Sequence, residues 1–140
     1  MSDRAFVDTN ILVYAHDTTT GSKHRTAREL VEGLWSTRGG VISTQVLQEL
    51  YVNVRRKVRS PLPVAEARRL LGDYLRWEVV VNTGESILEA LEIEDRYGLS
   101  FWDSLIVQAA IGSGVERLYS EDLGHRQAYG PLQVINPFAG

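Results

Sequence analysis

Short β-prone runs alternate with helical patterns along the chain, and this alternation is the strongest constraint on how it can fold. It favours a mostly parallel sheet whose strands are joined by helices, an α/β domain. The patterns predict strands over residues 5–8 and 41–43, in "WEVVVN" (77–82), in "RLYS" (117–120) and in "LQVIN" (132–136). Helices are expected from near Asn10, over 22–36, from about Thr44 to Lys57, and over 64–76, 84–97 and 101–112. In the second of these, Ala27, Leu30, Val31, Leu34 and Trp35 recur at the spacing of one helix face. Residues 101–112 are apolar almost all round, so that helix is expected at the centre of the protein.

A chain of 140 residues suits one domain, here 1–140, and buries roughly two-thirds of its unfolded surface. It contains no cysteine, which excludes disulfides, thiolate metal sites and thiol nucleophiles. No secretory pattern is read at the start, and no apolar run approaches the ~20 residues of a membrane span, so a cytoplasmic protein without a membrane partner is expected. The net charge of -3 argues against a generic nucleic-acid binder but leaves room for local basic clusters.

Four acids stand out by where they fall. Asp8 interrupts the burial-prone run "AFVDTNILVYA", where an unpaired carboxylate costs several kcal/mol or gives up its charge. Glu49 sits one turn into the helix after the second strand, Asp103 in the first turn of the apolar helix, and Asp122 just after "RLYS". Sites in parallel sheets form outside the carboxyl ends of the strands, so the four can converge there. Each also has a plainer reading. Asp8 can cap the helix that follows, and Ser100 with Asp103 fits a capping box. Asp122 can be a turn residue. Glu49 falls about 60° beyond the face made by Val46, Leu47, Leu50, Tyr51, Val54 and Val58, a boundary or solvent position. Taken singly, the residues leave both readings open.

Read in order, "FVDTNILVY", "STQVLQEL", "LSFWDSLIVQAA", "LYSEDL" and "VINPF" resemble a PIN-domain ribonuclease, most of all the VapC toxins of toxin–antitoxin pairs. The likeness runs from about Phe6 to Phe138. It implies a three-layer α/β/α fold and a metal-dependent endoribonuclease site in which Asp8, Glu49, Asp103 and Asp122 are the catalytic and metal-binding acids. Thr9 and Asn10 match the polar pair after the first acid, and Ser120 the hydroxyl residue before the last. These three are expected to hold the acids in place. The resemblance also implies an RNA substrate, a VapB-like antitoxin as partner, and a homodimer. The apolar face of the 64–76 helix is a candidate dimer interface or simply core.

An all-oxygen donor set suits Mg²⁺ or Mn²⁺ better than zinc. Two carboxylates ~5 Å apart repel by roughly 3 kcal/mol at an effective dielectric near 20, so at least one acid is expected to have a raised pKa without metal. For RNA contact the candidates are Arg55, Arg56, Lys57 and Arg59 in "VRRKVR", with a smaller basic group at Lys23, His24 and Arg25. His16, His24 and His125 lack metal-ligand spacing and are expected to be surface or hydrogen-bonding residues. Trp35, Trp77, Trp102 and Phe101 are assigned to the core, with a base-stacking role for one of them as the alternative. Two rival functions remain: a housekeeping RNA-processing nuclease without an antitoxin, and a non-catalytic module that holds a cation or a basic peptide.

Overall fold

The structure is a computed structural model and describes residues 3–139. One six-stranded sheet runs through it in the order β3-β2-β1-β4-β6-β5. Its strands are β1 (Ala5–Val7), β2 (Gly40–Ser43), β3 (Glu78–Val80), β4 (Arg117–Tyr119), β5 (Ala128–Tyr129) and β6 (Leu132–Ile135). All neighbours pair in parallel except β5 and β6, which form an antiparallel hairpin at the edge. The hairpin strand β5 was not legible in the sequence because two residues carry no alternation to read.

Among the described residues, six α-helices cover the sheet: α1 (Thr9–His16), α2 (Ser22–Thr37), α3 (Thr44–Val52), α4 (Val64–Tyr74), α5 (Gly84–Tyr97) and α6 (Phe101–Ser113). The chain steps from β1 to β2 to β3 in one direction, then returns past β1 to β4. Since parallel crossovers are right-handed, this reversal sends α5 and α6 to the opposite face from α1–α4. The contacts agree: α1 packs on α2 and α3, α3 on α4, and α5 on α6. The result is the expected three-layer α/β/α arrangement. The reversal between β1 and β4 creates a crevice at their carboxyl ends, the usual place for a site in such sheets.

The core explains the sequence pattern. β1 and β2 are buried over their whole length, as strands covered on both faces must be. Helix α6 is buried continuously from Ser104 to Ala110, as its all-round apolar composition requires. In α4, Ala67 and Tyr74 are buried, and Leu70 and Leu71 pack against the same core, so most of that apolar face is used internally. Gly40 opens β2 against Trp77, where a Cβ would lie 2.4 Å from the indole ring, so only glycine fits.

Two expectations are corrected. The helix read as continuing to Lys57 ends as an α-helix at Val52 and passes into a π-helical turn over Asn53–Lys57. Arg55 sits in this turn and donates from Nη1 to the Leu62 carbonyl at 2.9 Å, bracing the following loop. The aromatic residues do not all lie in the core. Trp77 is buried, but Trp35 is 36% and Trp102 62% exposed. Trp35 caps a ring cluster with Tyr74 and Trp77, whereas Trp102 stands at the crevice beside β1.

Candidate active site

The crevice is a cleft of about 400 Å³, and Asp8, Glu49, Asp103 and Asp122 all line it. Each arrives on a different element. Asp8 ends β1 and caps α1, Glu49 lies on α3, Asp103 in the first turn of α6, and Asp122 in the loop after β4. The sheet itself sets the first and last side by side. The Asp8 amide donates to the Tyr119 carbonyl at 2.9 Å, extending the β1–β4 ladder by one residue.

Asp8 is only 7% exposed, and both its oxygens are engaged. Oδ1 accepts the Thr9 amide at 2.8 Å, and Oδ2 accepts the hydroxyl of fully buried Ser120 at 2.9 Å. Ser120 Oγ in turn accepts the Asp122 amide at 3.2 Å, so one hydroxyl links the first acid to the backbone of the last. The next two residues reach the other acids. Thr9 Oγ1 donates to Glu49 Oε1 at 2.6 Å, and Asn10 Nδ2 donates to Asp122 Oδ2 at 2.8 Å. The three consecutive residues of "DTN" therefore fan out from the first turn of α1 to three separate points of the cleft. Asp8 is at once a helix cap and a cleft acid, so its two readings from sequence coexist.

Asp103 likewise combines its two readings. Ser100 Oγ caps α6 by accepting the Asp103 amide at 3.1 Å. The Ser100 side chain also hydrogen-bonds the Asp103 carboxyl, so the same residue is part of the helix start and lines the cleft.

Burial dominates the electrostatics. It pushes the Asp8 carboxyl up to about 7 against the pull of the Ser120 and Thr9 hydrogen bonds, and the charges of Glu49 and Asp122 push it further. Asp103 is also raised, first by burial, opposed by Ser100, then by Asp122 and Glu49. A raised acid was expected from like-charge repulsion, and here the larger cause is lost solvation.

Among the described residues, no three His, Asp or Glu side chains stand as a ready metal cage. The donor chemistry nonetheless fits a hard divalent cation. Mg²⁺ takes one or two protein carboxylates and completes its shell with water and phosphate, so it needs a shared acidic cleft more than a cage. The buried, doubly hydrogen-bonded Asp8 is a pre-oriented oxygen donor of that kind.

The stripe that faces the cleft is Gln45, Gln48, Glu49 and Val52 on α3, continued by Asn53 and Lys57 in the π-helical turn. This i, i+3, i+4, i+7, i+8 spacing is a mostly polar face adjoining the apolar one, and it places Glu49 on the cleft. Gln45 was missed. Only 5% exposed, it donates from Nε2 to the Trp102 carbonyl at 3.1 Å and more weakly to Glu49 Oε2 at 3.4 Å, tying α3 to α6. Of the basic candidates, Lys57 lines the cleft, Arg56 and Arg59 are exposed, and Arg55 is the loop brace described above. The smaller basic group stands elsewhere: Lys23 pairs with Glu121, and His24 bonds the Tyr14 carbonyl through Nδ1 at 2.8 Å. His16 bonds the Tyr74 hydroxyl, and His125 Nδ1 accepts the Asn136 amide, so all three histidines are hydrogen-bonded residues outside the cleft.

Comparison with known proteins places this geometry. The PIN domain family model matches residues 5–131. A search of curated proteins finds no match. Among solved structures, the chain is similar to a toxin–antitoxin complex from Klebsiella pneumoniae, with a TM-score of 0.70 and 19% identity over 96% of this chain and 98% of the other. It is similar to Mycobacterium tuberculosis VapC20, a toxin that cleaves the sarcin-ricin loop, with a TM-score of 0.64 and 20% identity over 84% and 89%. It also matches VapBC2 from Rickettsia felis, solved with a promoter DNA fragment, with a TM-score of 0.62 and 21% identity over 93% and 96%. These likenesses speak to the fold. The family model spans nearly the whole chain, whose acids gather where its strands end, and the chain belongs to the PIN domain family.

Proposed function

We propose that this protein is a divalent-metal-dependent endoribonuclease that acts as the toxin of a toxin–antitoxin pair. The observation that carries the reading is the meeting of four acids from four elements in one cleft of a PIN fold. Asp8 and Asp103 would be the principal residues to hold Mg²⁺ or Mn²⁺, with Asp122 completing the set, and Glu49 would hold a second cation or orient the attacking water. When bound, the cation polarises the phosphoryl oxygen, lowers the pKa of water and steadies the leaving 3′-oxygen.

The chain's own residues set the geometry. Ser120 and the Thr9 amide fix the Asp8 carboxylate, Thr9 Oγ1 fixes Glu49, and Asn10 fixes Asp122. Holding three acids by short bonds limits the reorganisation needed when substrate arrives. Lys57, on the cleft wall, offers a cation to a neighbouring phosphate.

The toxin assignment draws on the neighbouring folds, two of which were solved as toxin–antitoxin assemblies. An antitoxin that places an Arg in the cleft matches its acids, because a guanidinium pairs with carboxylates in two-pronged fashion. A cytoplasmic setting accords with an RNA target, and among the described residues no helix is long and apolar enough to cross a membrane. The single-domain reading and the homodimer belong to the same proposal. The test is to incubate purified protein with total RNA and Mn²⁺ or EDTA and map the new ends. Metal-dependent cuts leaving 5′-phosphates are expected. Unchanged RNA under every metal condition would overturn the proposal.

A further inference from the structure

Among the described residues that line the cleft, Trp102 is the exposed aromatic side chain beside the acids, with the smaller Val52 on the opposite helix. Trp102 is 62% exposed, lines the same cleft, and immediately precedes Asp103 on the first turn of α6. Its only ring partner among the described residues is Phe101, in an edge-to-face contact with centroids 5.1 Å apart and planes at 74°. A contact of that geometry uses at most one face of the indole and leaves the other open. The backbone under the ring is held, because the Trp102 carbonyl accepts Gln45 Nε2 from across the cleft. The bond holds the main chain that carries the ring, and the Phe101 contact supports one side of the ring.

We infer that Trp102 is a stacking platform for one unpaired base of the RNA, next to the phosphate held at the acids. The inference rests on the ribonuclease reading and deepens it by naming the form of RNA bound: single-stranded, or a loop with a splayed base. A phosphate held at the cleft floor carries its base to the cleft wall, and the wall beside Asp103 is the indole. Base pairs within a helix cannot present a free face there, whereas an unstacked base can. Stacking is tolerant of base identity because every base has a π-face, so this contact selects for strandedness more than for sequence. Trp suits the role because two side-chain torsions are few to freeze on binding.

The test measures binding of a short single-stranded RNA of mixed sequence in Ca²⁺, by fluorescence anisotropy, to the wild-type protein, Trp102→Phe and Trp102→Ala. The side chain is exposed, so both variants are expected to fold, and circular dichroism checks it. Trp102→Ala is expected to weaken binding about ten-fold or more, and Trp102→Phe to recover most of the loss. Oligonucleotides with one abasic site, moved along the strand, add a second reading. One position should weaken wild-type binding and leave Trp102→Ala binding unchanged, the signature of a single coupled contact. Equal binding by all three proteins, with no abasic position selectively affecting the wild type, would overturn the inference and leave Trp102 as a residue for contact with a protein partner. A wild-type protein that neither binds nor cuts RNA would instead remove the ribonuclease reading, a distinct outcome because the stacking test presupposes wild-type binding.

Discussion

Thr9 donates its hydroxyl to Glu49 across 2.6 Å, joining the first turn of α1 to the middle of α3. The bond fixes an acid whose carboxylate, among the described residues, is otherwise held by a long contact from Gln45. If Glu49 acts through its orientation, Thr9→Val should reduce cleavage roughly 10–100-fold, the usual effect of losing such a support. Thr9→Ser keeps the hydroxyl and should restore most of the rate. Equal activity in both variants would show that the bond is structural only.

Asp103 and Ser100 should separate activity from stability. Asp103→Asn retains the amide that Ser100 caps, so the melting temperature should hold while metal-dependent cleavage is lost. Ser100→Ala removes the cap oxygen and should cost about 1 kcal/mol of stability, with cleavage reduced less than in Asp103→Asn because the carboxylate itself remains. Denaturant melts and an RNA cleavage assay on the two variants give the crossed result or refute it.

Asp8 should make the metal-free protein less stable as pH rises. Its folded pKa of about 7 lies above the ordinary 3.8, so the folded state keeps a proton that the unfolded chain releases. That contribution is fully present below pH ~4 and is lost as pH climbs through ~7, a span worth on the order of 4 kcal/mol. In EDTA, urea midpoints should fall between pH 5 and pH 8, and Asp8→Asn should flatten the fall. Millimolar Mg²⁺ should restore the wild type at pH 8 and do little for the variant. A wild-type midpoint that does not change with pH would contradict this account of the buried acid.

Gly40→Ala should destabilise the fold without reaching the cleft. The new Cβ would stand 2.4 Å from the ring of buried Trp77, and overpacking of this kind costs about 1–3 kcal/mol. A melting temperature equal to that of the wild type would mean that Trp77 can move aside.

Lys57→Ala should lower RNA affinity alike across sequences and reduce the slope of log K against log salt by about one. Arg55→Ala should instead loosen the loop it braces at Leu62, seen as lost stability rather than as a changed salt slope.

The sequence by itself determined the α/β class, the parallel sheet and the central helix α6, read as 101–112 and found at Phe101–Ser113, and it singled out the four acids that line the cleft, because each is written in local periodicity or in a short ordered motif. Helix 84–97 was legible to the residue, since Thr83 caps one end and Gly98 adopts the left-handed turn that ends the other. The two-residue strand β5, the π-helical turn after Val52 and the exposure of Trp102 were not legible, because nothing local decides them. Whether an indole is buried depends on which elements come to lie over it, and at Trp102 the cleft leaves it open. In the same way, only the β1–β4 pairing and the return of α6 across the sheet brought Asp8, Glu49, Asp103 and Asp122 to one opening and joined Thr9 to Glu49. Contacts between distant residues are fixed by the packing of whole elements, and that information is spread over the chain rather than held at any one position.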